Sequence, residues 1–409
     1  MPDRAKALIL LASRPESVEI AVERLQPEAL AVVVSQEVLE AVVLKGAESK
    51  DRARLLYRMV DDPMEISDAF SKFGRALADL EALGYAREEV LLDATGGTTP
   101  MRLGAALAAM TRGIPMVHQR VPQRYVDGRW ERDESKEVEV WPMDNPLEAT
   151  GLLREGQAVE LFNRRDYGAA ALVFEDIVSK VSGVGRAHYY RGLLLLSEGY
   201  AAWDVADYGV ALSKLAAAKG ELEVDFSEAQ ISERAADLVA GIPANLRFLG
   251  KVRGRLSVEN VVDMLENARR RIVDQGRYDD GVARLYRVVE MHHQQRLAQR
   301  SVAASEVDWE KVDEKSRRRF LKASGLEELP PVLDLSRARA LDRILSGGVP
   351  EEDDTVLKDL LQKRNRSILA HGIEPIGEKA AKRFLELVDG MVGGEEARSG
   401  ARHLRLRGL

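Results

Sequence analysis

Short continuous apolar runs alternate with segments of helical apolar spacing over the first 146 residues. ALILLA and ALAVVVS are typical of strands that are buried on both faces of a sheet. Helical spacing is seen at Val18, Ala21, Val22 and Leu25, and again at Ala69, Phe70, Phe73, Leu77 and Leu80. The alternation predicts an α/β domain at 1–146, with a Rossmann-like parallel sheet between helices.

Strand signals stop after residue 146, and the rest of the chain has helical patterns. In residues 147–256 the triplet Asp-Tyr-Gly occurs at 166–168 and again 41 residues later. This weak repeat predicts a helical connector that resembles tetratricopeptide hairpins. Residues 257–409 form a further helical region, interrupted by LEELPPVLDL. The predicted fold class is α/β plus all-α, in three domains.

The composition restricts the possible chemistry. The chain contains no cysteine, which excludes disulfides, thiolate nucleophiles and cysteine-ligated zinc, and which suits a reducing compartment. The first apolar run is broken by Ser13, Arg14 and Pro15 and is too short to span a bilayer. We therefore expect a soluble, cytoplasmic protein that does not enter a membrane.

The charge distribution restricts contact with nucleic acid. A formal net charge of −7 argues against a protein that coats nucleic acid through bulk electrostatics. Two basic stretches, at 315–322 and 397–409, could make local contacts with RNA. We expect them instead to be solvated helix faces and a frayed C-terminal tail.

The segment DATGGTTPM, at 93–101, links a predicted strand to a predicted helix. Its two glycines allow a ligand to approach the main chain, and a threonine can cap the helix ahead of Pro100. The free N–H groups of that helix N-terminus favour a phosphate. The segment lacks the Gly-Lys-Ser/Thr ending of an ATP-hydrolysing loop and the G-x-G-x-x-G dinucleotide pattern.

Ser13 and Arg14 follow the first strand and lie at the same predicted edge of the sheet. Ligands bind at the carboxyl ends of strands in open parallel sheets. The two loops together favour a nucleotide or phosphate ligand. A tight strand-to-helix turn without a ligand is the alternative.

The segment RNRSILAH, at 364–371, lies in a helix that we predict to end at His371, because Gly372 and Pro375 follow. Residues seven apart return to nearly the same helix face, so Arg364 and His371 are expected to lie together. Histidine can move the protons of RNA cleavage, arginine can hold the phosphate, and Asn365 can orient either group. Structural packing of the two residues is the alternative.

No metal site is predicted. His371 has no second histidine or carboxylate four residues away on its helix face, as a zinc helix would require. His292 and His293 are adjacent, so their side chains point about 100° apart on a helix. We expect them to be core or surface residues.

Taken together, the two motifs resemble a known family. DATGGTTPM is similar to the ligand loop of the CARF domain, and RNRSILAH resembles the Arg-Asn to His signature of HEPN ribonucleases. DDGVARLYRVVE is similar to the helix that precedes the active helix in the same group. CARF followed by HEPN is the plan of the ancillary ribonucleases of type III CRISPR systems.

The resemblance implies a homodimer with a two-fold CARF pocket for cyclic tetra- or hexa-adenylate. It also implies one composite, metal-independent HEPN site that cleaves single-stranded RNA. By position, the catalytic residues would be Arg364, Asn365 and His371, and the ligand loop would comprise Thr95, Gly96, Gly97, Thr98, Thr99 and Met101. Lysine is common in the family where Thr99 stands, which leaves open the ring size and any cleavage of the activator by the CARF domain.

Two other functions share part of this sequence pattern. A nucleotide-sensing adaptor without catalysis would have the same domain plan, but the presence of all three catalytic residue types favours the enzyme. A ligand-controlled transcription regulator would need a DNA-binding helix-turn-helix, and the C-terminal region has no convincing example.

Overall fold

A computed structural model of the chain describes residues 6–47, 53–120, 122–126, 128–133, 135–252, 256–348, 355–370, 372–393 and 395–407. The chain divides into two compact units. The N-terminal unit comprises Met1–Arg154 with Lys180–Ser182, and the C-terminal unit comprises Glu155–Ser179 with Gly183–Leu409. The predicted domain boundaries at residues 146 and 256 stay predictions.

The N-terminal unit is built on a six-stranded sheet with the order β3-β2-β1-β4-β5-β8. Strands β1 to β5 are parallel, and β8 pairs with β5 in the antiparallel direction. Strands β6 and β7 form a separate antiparallel pair. The strands are β1 Ala7–Ala12, β2 Ala29–Ser35, β3 Arg54–Val60, β4 Val90–Asp93, β5 Met116–Arg120, β6 Gln123–Val126, β7 Arg129–Arg132 and β8 Glu139–Met143.

Helices cover both faces of the sheet, as the apolar runs predict. The helices are α1 Glu16–Leu25, α2 Gln36–Ala47, α3 Ile66–Ala82, α4 Thr99–Arg112 and α5 Pro146–Ala149. Alternate residues of β1 enter opposite cores: Ile9 packs with α3 and α4, whereas Leu10 packs with α1 and α2. Because both faces of β1 are covered, its sequence is continuously apolar. The α/β prediction is confirmed.

All the regular elements among the described residues of the C-terminal unit are helices. Its helices, of which α6 begins in the N-terminal unit, are α6 Leu152–Asn163, α7 Tyr167–Lys180, α8 Val184–Asp204, α9 Tyr208–Leu222, α10 Ala229–Lys251, α11 Val258–Arg269, α12 Tyr278–Ala298, α13 Glu314–Ser324, α14 Leu335–Leu345, α15 Thr355–Asn365, α16 Glu378–Met391 and α17 Glu395–Ala401. A π-helical turn, Arg270–Asp274, follows α11. The all-α prediction is confirmed.

The two Asp-Tyr-Gly triplets lie in turns that have the same conformation. Arg165 and Ala206, which precede the two triplets, both adopt a left-handed φ of 64°. In each turn the aspartate N–H donates to the carbonyl five residues earlier, at 2.9 Å. The sequence repeat is therefore also a structural repeat of helix–turn–helix units.

The C-terminal tail is packed against the connector helices, so the prediction of a frayed tail is wrong. His403 is buried, stacks on Tyr200 with ring centroids 4.3 Å apart, and shares a 2.7 Å hydrogen bond with the Tyr167 hydroxyl. Asn163 bonds both the N–H and the carbonyl of Leu406. Charge alone suggested solvation, whereas His403 and the apolar Leu406 are buried. No helix in the described part of the chain is both long and apolar enough to cross a bilayer.

Candidate functional site

The loop between β4 and α4 lies directly against the end of β1. A Cβ on Gly96 would be 2.0 Å from the carbonyl oxygen of Leu11, so only glycine fits there. Gly97 has a left-handed φ of 79°, which glycine adopts without strain. The two glycines therefore bring the loop backbone against β1, at the edge where the parallel strands end.

A buried polar network holds this loop in place. The Asp93 carboxylate accepts hydrogen bonds from the Thr95 N–H at 3.0 Å, from the Thr95 hydroxyl and from the Gln119 side-chain amide. The Gln119 N–H donates to the Thr95 hydroxyl at 2.6 Å. Burial raises the pKa of the Asp93 carboxyl, and these hydrogen bonds oppose the shift. The hydroxyl of Thr95 is therefore occupied by hydrogen bonds within the protein.

Thr98 is the cap of α4. Its hydroxyl accepts a hydrogen bond from the Met101 N–H at 3.3 Å and donates one to the carbonyl of Pro63. Met101 is buried beneath Gly97, and Thr99 is exposed at the helix start. The hydroxyl of Thr99 accepts a 3.3 Å bond from Arg102.

Ser13 and Arg14 are exposed after β1, beside the Gly96 loop. The predicted ligand residues thus fall into two groups. Ser13, Arg14, Thr99 and the glycine backbone are at the surface of the sheet edge, whereas Thr95, Thr98 and Met101 hold the loop. A helix N-terminus, an exposed guanidinium and a hydroxyl at one edge can bind phosphate groups.

Helix α15 ends at Asn365, so the prediction that it continues to His371 is wrong. The amides of Gly372 and Glu374 bond the carbonyls of Ser367 and Arg366, at 3.2 and 3.1 Å. We call residues 366–370 and 372–374 the return loop. Its hydrogen bonds occupy carbonyls that a longer helix would need. The ideal-helix argument for placing Arg364 and His371 on one face therefore does not apply.

Gly372 allows the return loop to close. A Cβ there would be 1.9 Å from the carbonyl oxygen of Arg366. Further along, the N–H of Ile376 donates to both carboxylate oxygens of Asp279, at 3.2 Å, which joins the loop to α12. His371 lies outside the described residues.

Arg364 and Asn365 form the last residues of α15. The Arg364 guanidinium lies over the ring of Tyr286 on α12, 4.3 Å from its centroid. One of its terminal nitrogens donates to the Asn365 side-chain oxygen at 3.2 Å. Among the described residues, no carboxylate pairs with Arg364. A half-buried arginine without an acidic partner can bind a phosphate with little competition.

Two adjacent histidines, His292 and His293, lie on α12. His293 is buried, and its Nδ1 is 2.9 Å from the Asp342 carboxylate. Burial lowers the pKa of His292 to about 4. Within the part of the chain that the structure describes, no group of three histidine or carboxylate side chains could hold a metal.

Comparisons with known proteins find similarity to Csm6 proteins. A family model described as the Csm6 HEPN domain matches residues 252–394, and one described as the Csm6 6H domain matches residues 151–240. The CRISPR system endoribonuclease Csm6 of Thermus thermophilus is 27% identical over 419 residues, covering 94% of this chain and 87% of that protein. The resemblance to CRISPR-associated HEPN ribonucleases is confirmed. The chain is an endoribonuclease, and the predicted enzyme class is confirmed.

Solved structures also align with this chain. Enterococcus italicus Csm6 bound to cyclic hexa-2'-fluoro-hexa-dAMP aligns with a TM-score of 0.44 and 12% identity, covering 96% of each chain. Can2 from Sulfobacillus thermosulfidooxidans in complex with cyclic tetra-adenylate aligns with a TM-score of 0.24 and 15% identity, covering 46% of this chain and 49% of that one.

Sequence reasoning did not identify two residues that contact the predicted sites. Gln119 contacts Asp93 from the neighbouring strand, and Tyr286 contacts Arg364 from another helix. No local spacing pattern connects these pairs. Gln119 could be found only from the order of the strands in the sheet, and no sequence signal indicated Tyr286.

Proposed function

We propose that this chain is a metal-independent endoribonuclease that cyclic tetra- or hexa-adenylate activates and that cleaves single-stranded RNA at a site shared by two copies. The catalytic residues are Arg364, Asn365 and His371. One observation carries the proposal: Arg364, at the end of α15, has no acidic partner among the described residues.

In this reaction the 2′-hydroxyl attacks the adjacent phosphorus and the 5′-oxygen leaves. Arg364 stabilises the charge on the phosphate oxygens, and His371 transfers a proton to or from the reacting oxygens. Asn365 orients the guanidinium through the 3.2 Å hydrogen bond. The products are a 2′,3′-cyclic phosphate and a 5′-hydroxyl.

Exposed apolar side chains beside Arg364 support a second copy. Ile368, Leu369 and Ile373 are 56%, 52% and 89% exposed on the return loop. Three large apolar residues so close to a charged site favour a protein interface over open solvent. In a two-fold dimer the same surface meets itself, which brings two sets of catalytic groups to one phosphate.

The N-terminal unit has a comparable apolar surface. Leu103 and Leu107, one turn apart on α4, are 47% and 39% exposed, and Met64, just before α3, is 68% exposed. A second copy covering these residues would bring two ligand loops together. A ring of four or six adenylates has enough phosphates to contact both loops.

Activation is a shift between a resting and an active population. A change from about 1% to 99% active requires the ring to prefer the active state by about 5.5 kcal/mol. Phosphate contacts at Ser13, Arg14 and the N-terminus of α4 supply this preference in each copy. Activity in the cytoplasm is consistent with the absence of cysteine.

The test is cleavage of labelled single-stranded RNA in the presence of a chelator, with and without each ring. We expect cleavage with one ring and much less without it, with 2′,3′-cyclic phosphate ends on the products. Binding of a ring without RNA cleavage would favour the adaptor function. Products with 3′-hydroxyl ends would contradict the proposed chemistry.

A variant of the ligand loop separates activation from catalysis. Gly96→Ala places a methyl group against the Leu11 carbonyl and should weaken ring binding at least tenfold, while leaving ring-independent cleavage unchanged. Gly74→Ala on α3 is the matched control, since its added Cβ meets nothing closer than 3.6 Å. Calorimetric titration with each ring measures the binding.

A further inference from the structure

Tyr286 contacts the guanidinium of Arg364 through the face of its ring. The guanidinium carbon is 4.3 Å from the ring centroid, and both side chains are half-buried. Tyr286 belongs to the middle of α12, between the buried residues Leu285 and Val288. The buried residues Leu285 and Val288 therefore fix the backbone of the helix from which the ring projects.

The geometry of this contact leaves the arginine available for a ligand. A ring stacked on a planar guanidinium covers its face, while the N–H donors point outward in the plane. An acidic partner would instead occupy those donors and neutralise the charge. The Nε of Arg364 is buried and has no acceptor among the described residues. The stacked ring therefore orients the group without using its phosphate-binding capacity.

We propose that Tyr286 is a positioning residue for RNA cleavage, which holds the guanidinium of Arg364 in the orientation that binds the scissile phosphate. This inference rests on the proposed function, because it assigns the phosphate contact to Arg364. The ring acts through Arg364 and does not touch the reacting atoms.

Steady-state cleavage of labelled RNA, measured over a range of RNA concentrations at saturating activator, tests the role of the ring. Tyr286→Leu removes the aromatic face and should lower kcat roughly 3- to 30-fold, the range expected for a partly desolvated cation–π contact, with little change in KM. Tyr286→Phe keeps the face and should retain parental kcat. Tyr278→Leu, on the same helix and also half-buried, is the matched control and should retain kcat.

A double-mutant cycle shows whether Tyr286 acts through Arg364. If it does, Tyr286→Leu should have no further effect on the residual activity of Arg364→Ala. Equal loss in both backgrounds would overturn the proposal, as would a raised KM with unchanged kcat, which would place the ring on the RNA. Thermal unfolding of each variant identifies any loss that comes from misfolding.

The same measurements separate the two claims. If Arg364→Ala cleaves as fast as the parent, the proposed function is wrong in its catalytic residue. If Arg364→Ala is inactive but Tyr286→Leu cleaves at the parental rate, only the positioning role of Tyr286 is wrong.

Discussion

At the residue scale, Gly372 is the position with the least room for a side chain near the proposed active site. Its missing Cβ would be 1.9 Å from the Arg366 carbonyl oxygen, which also accepts the hydrogen bond from Glu374. Any larger residue must displace the return loop. The exposed apolar residues of that loop would move with it.

Gly372→Ala should therefore lower RNA cleavage by about tenfold or more, since small displacements of catalytic groups have effects of that size. Gly377→Ala, five residues later, adds a Cβ that meets nothing within 4 Å and should cleave as the parent does. Initial cleavage rates at saturating activator give the comparison. Equal rates for Gly372→Ala and the parent would show that the closed loop is not needed.

Candidate site residues could be named from the sequence only where they lie close together in the chain, and their roles stay predictions. The residues of DATGGTTPM and RNRSILAH could be named because each motif is contiguous. Tyr286 and Gln119 could not be named, because they join their partners through tertiary packing. The roles of Thr95 and Met101 were also not evident, since burial decides whether a side chain supports a loop or contacts a ligand.

At the element scale, the apolar spacing located α15 but not its end. Gly372 and Pro375 correctly indicated that the helix must stop before them. The stop occurs earlier, because the return loop supplies amide donors to the carbonyls of Arg366 and Ser367. Such a change of hydrogen-bond partner depends on a chain reversal that periodicity does not contain.

The repeated turn between connector helices gives a stability prediction. Ala206 is exposed and has a φ of 64°, which is strained for any residue with a Cβ. Ala206→Gly should raise the free energy of unfolding by about 0.5–1 kcal/mol. Glycine relieves the backbone strain of the folded state, and this gain exceeds the loss from the greater conformational entropy of the unfolded chain.

The control for this prediction is Ala217→Gly, at an exposed position within α9. It should lower the free energy of unfolding by about 1 kcal/mol, because glycine is a poor helix former. Urea denaturation followed by circular dichroism measures both variants. Destabilisation by Ala206→Gly would mean that the left-handed turn does not limit stability.

At the scale of the whole molecule, the end of the chain completes the core of the C-terminal unit. His403 enters the aromatic cluster, and Asn245 donates hydrogen bonds to the carbonyls of Gly400 and Arg402. Burial lowers the pKa of His403 well below its usual value, and Arg270 and Arg165 lower it further. The folded chain therefore holds this imidazole neutral.

This burial predicts an acid-sensitive fold. Below about pH 6.5 the unfolded chain binds a proton that the folded chain excludes, so the contribution of His403 to stability is present above that pH and is lost below it. One such group changes the free energy of unfolding by up to about 1.4 kcal/mol per pH unit.

His403→Phe keeps a flat ring for the Tyr200 stack but cannot titrate. Its stability should fall less steeply than that of the parent between about pH 6.5 and pH 5, even if it is less stable at neutral pH. Denaturation midpoints across this range test the difference. Parallel slopes for the two proteins would show that His403 does not control the acid response.

The central claim is that Arg364 and His371 carry out RNA cleavage in the ring-activated protein. The most direct measurement is the single-turnover rate on labelled single-stranded RNA, with chelator and saturating cyclic adenylate, for the parent, Arg364→Ala and His371→Ala. General acid–base catalysis contributes ~10² to 10⁴ in rate, so His371→Ala should lower the cleavage rate by at least about 100-fold while the affinity for the ring is unchanged. Cleavage by both variants at the parental rate would contradict the account.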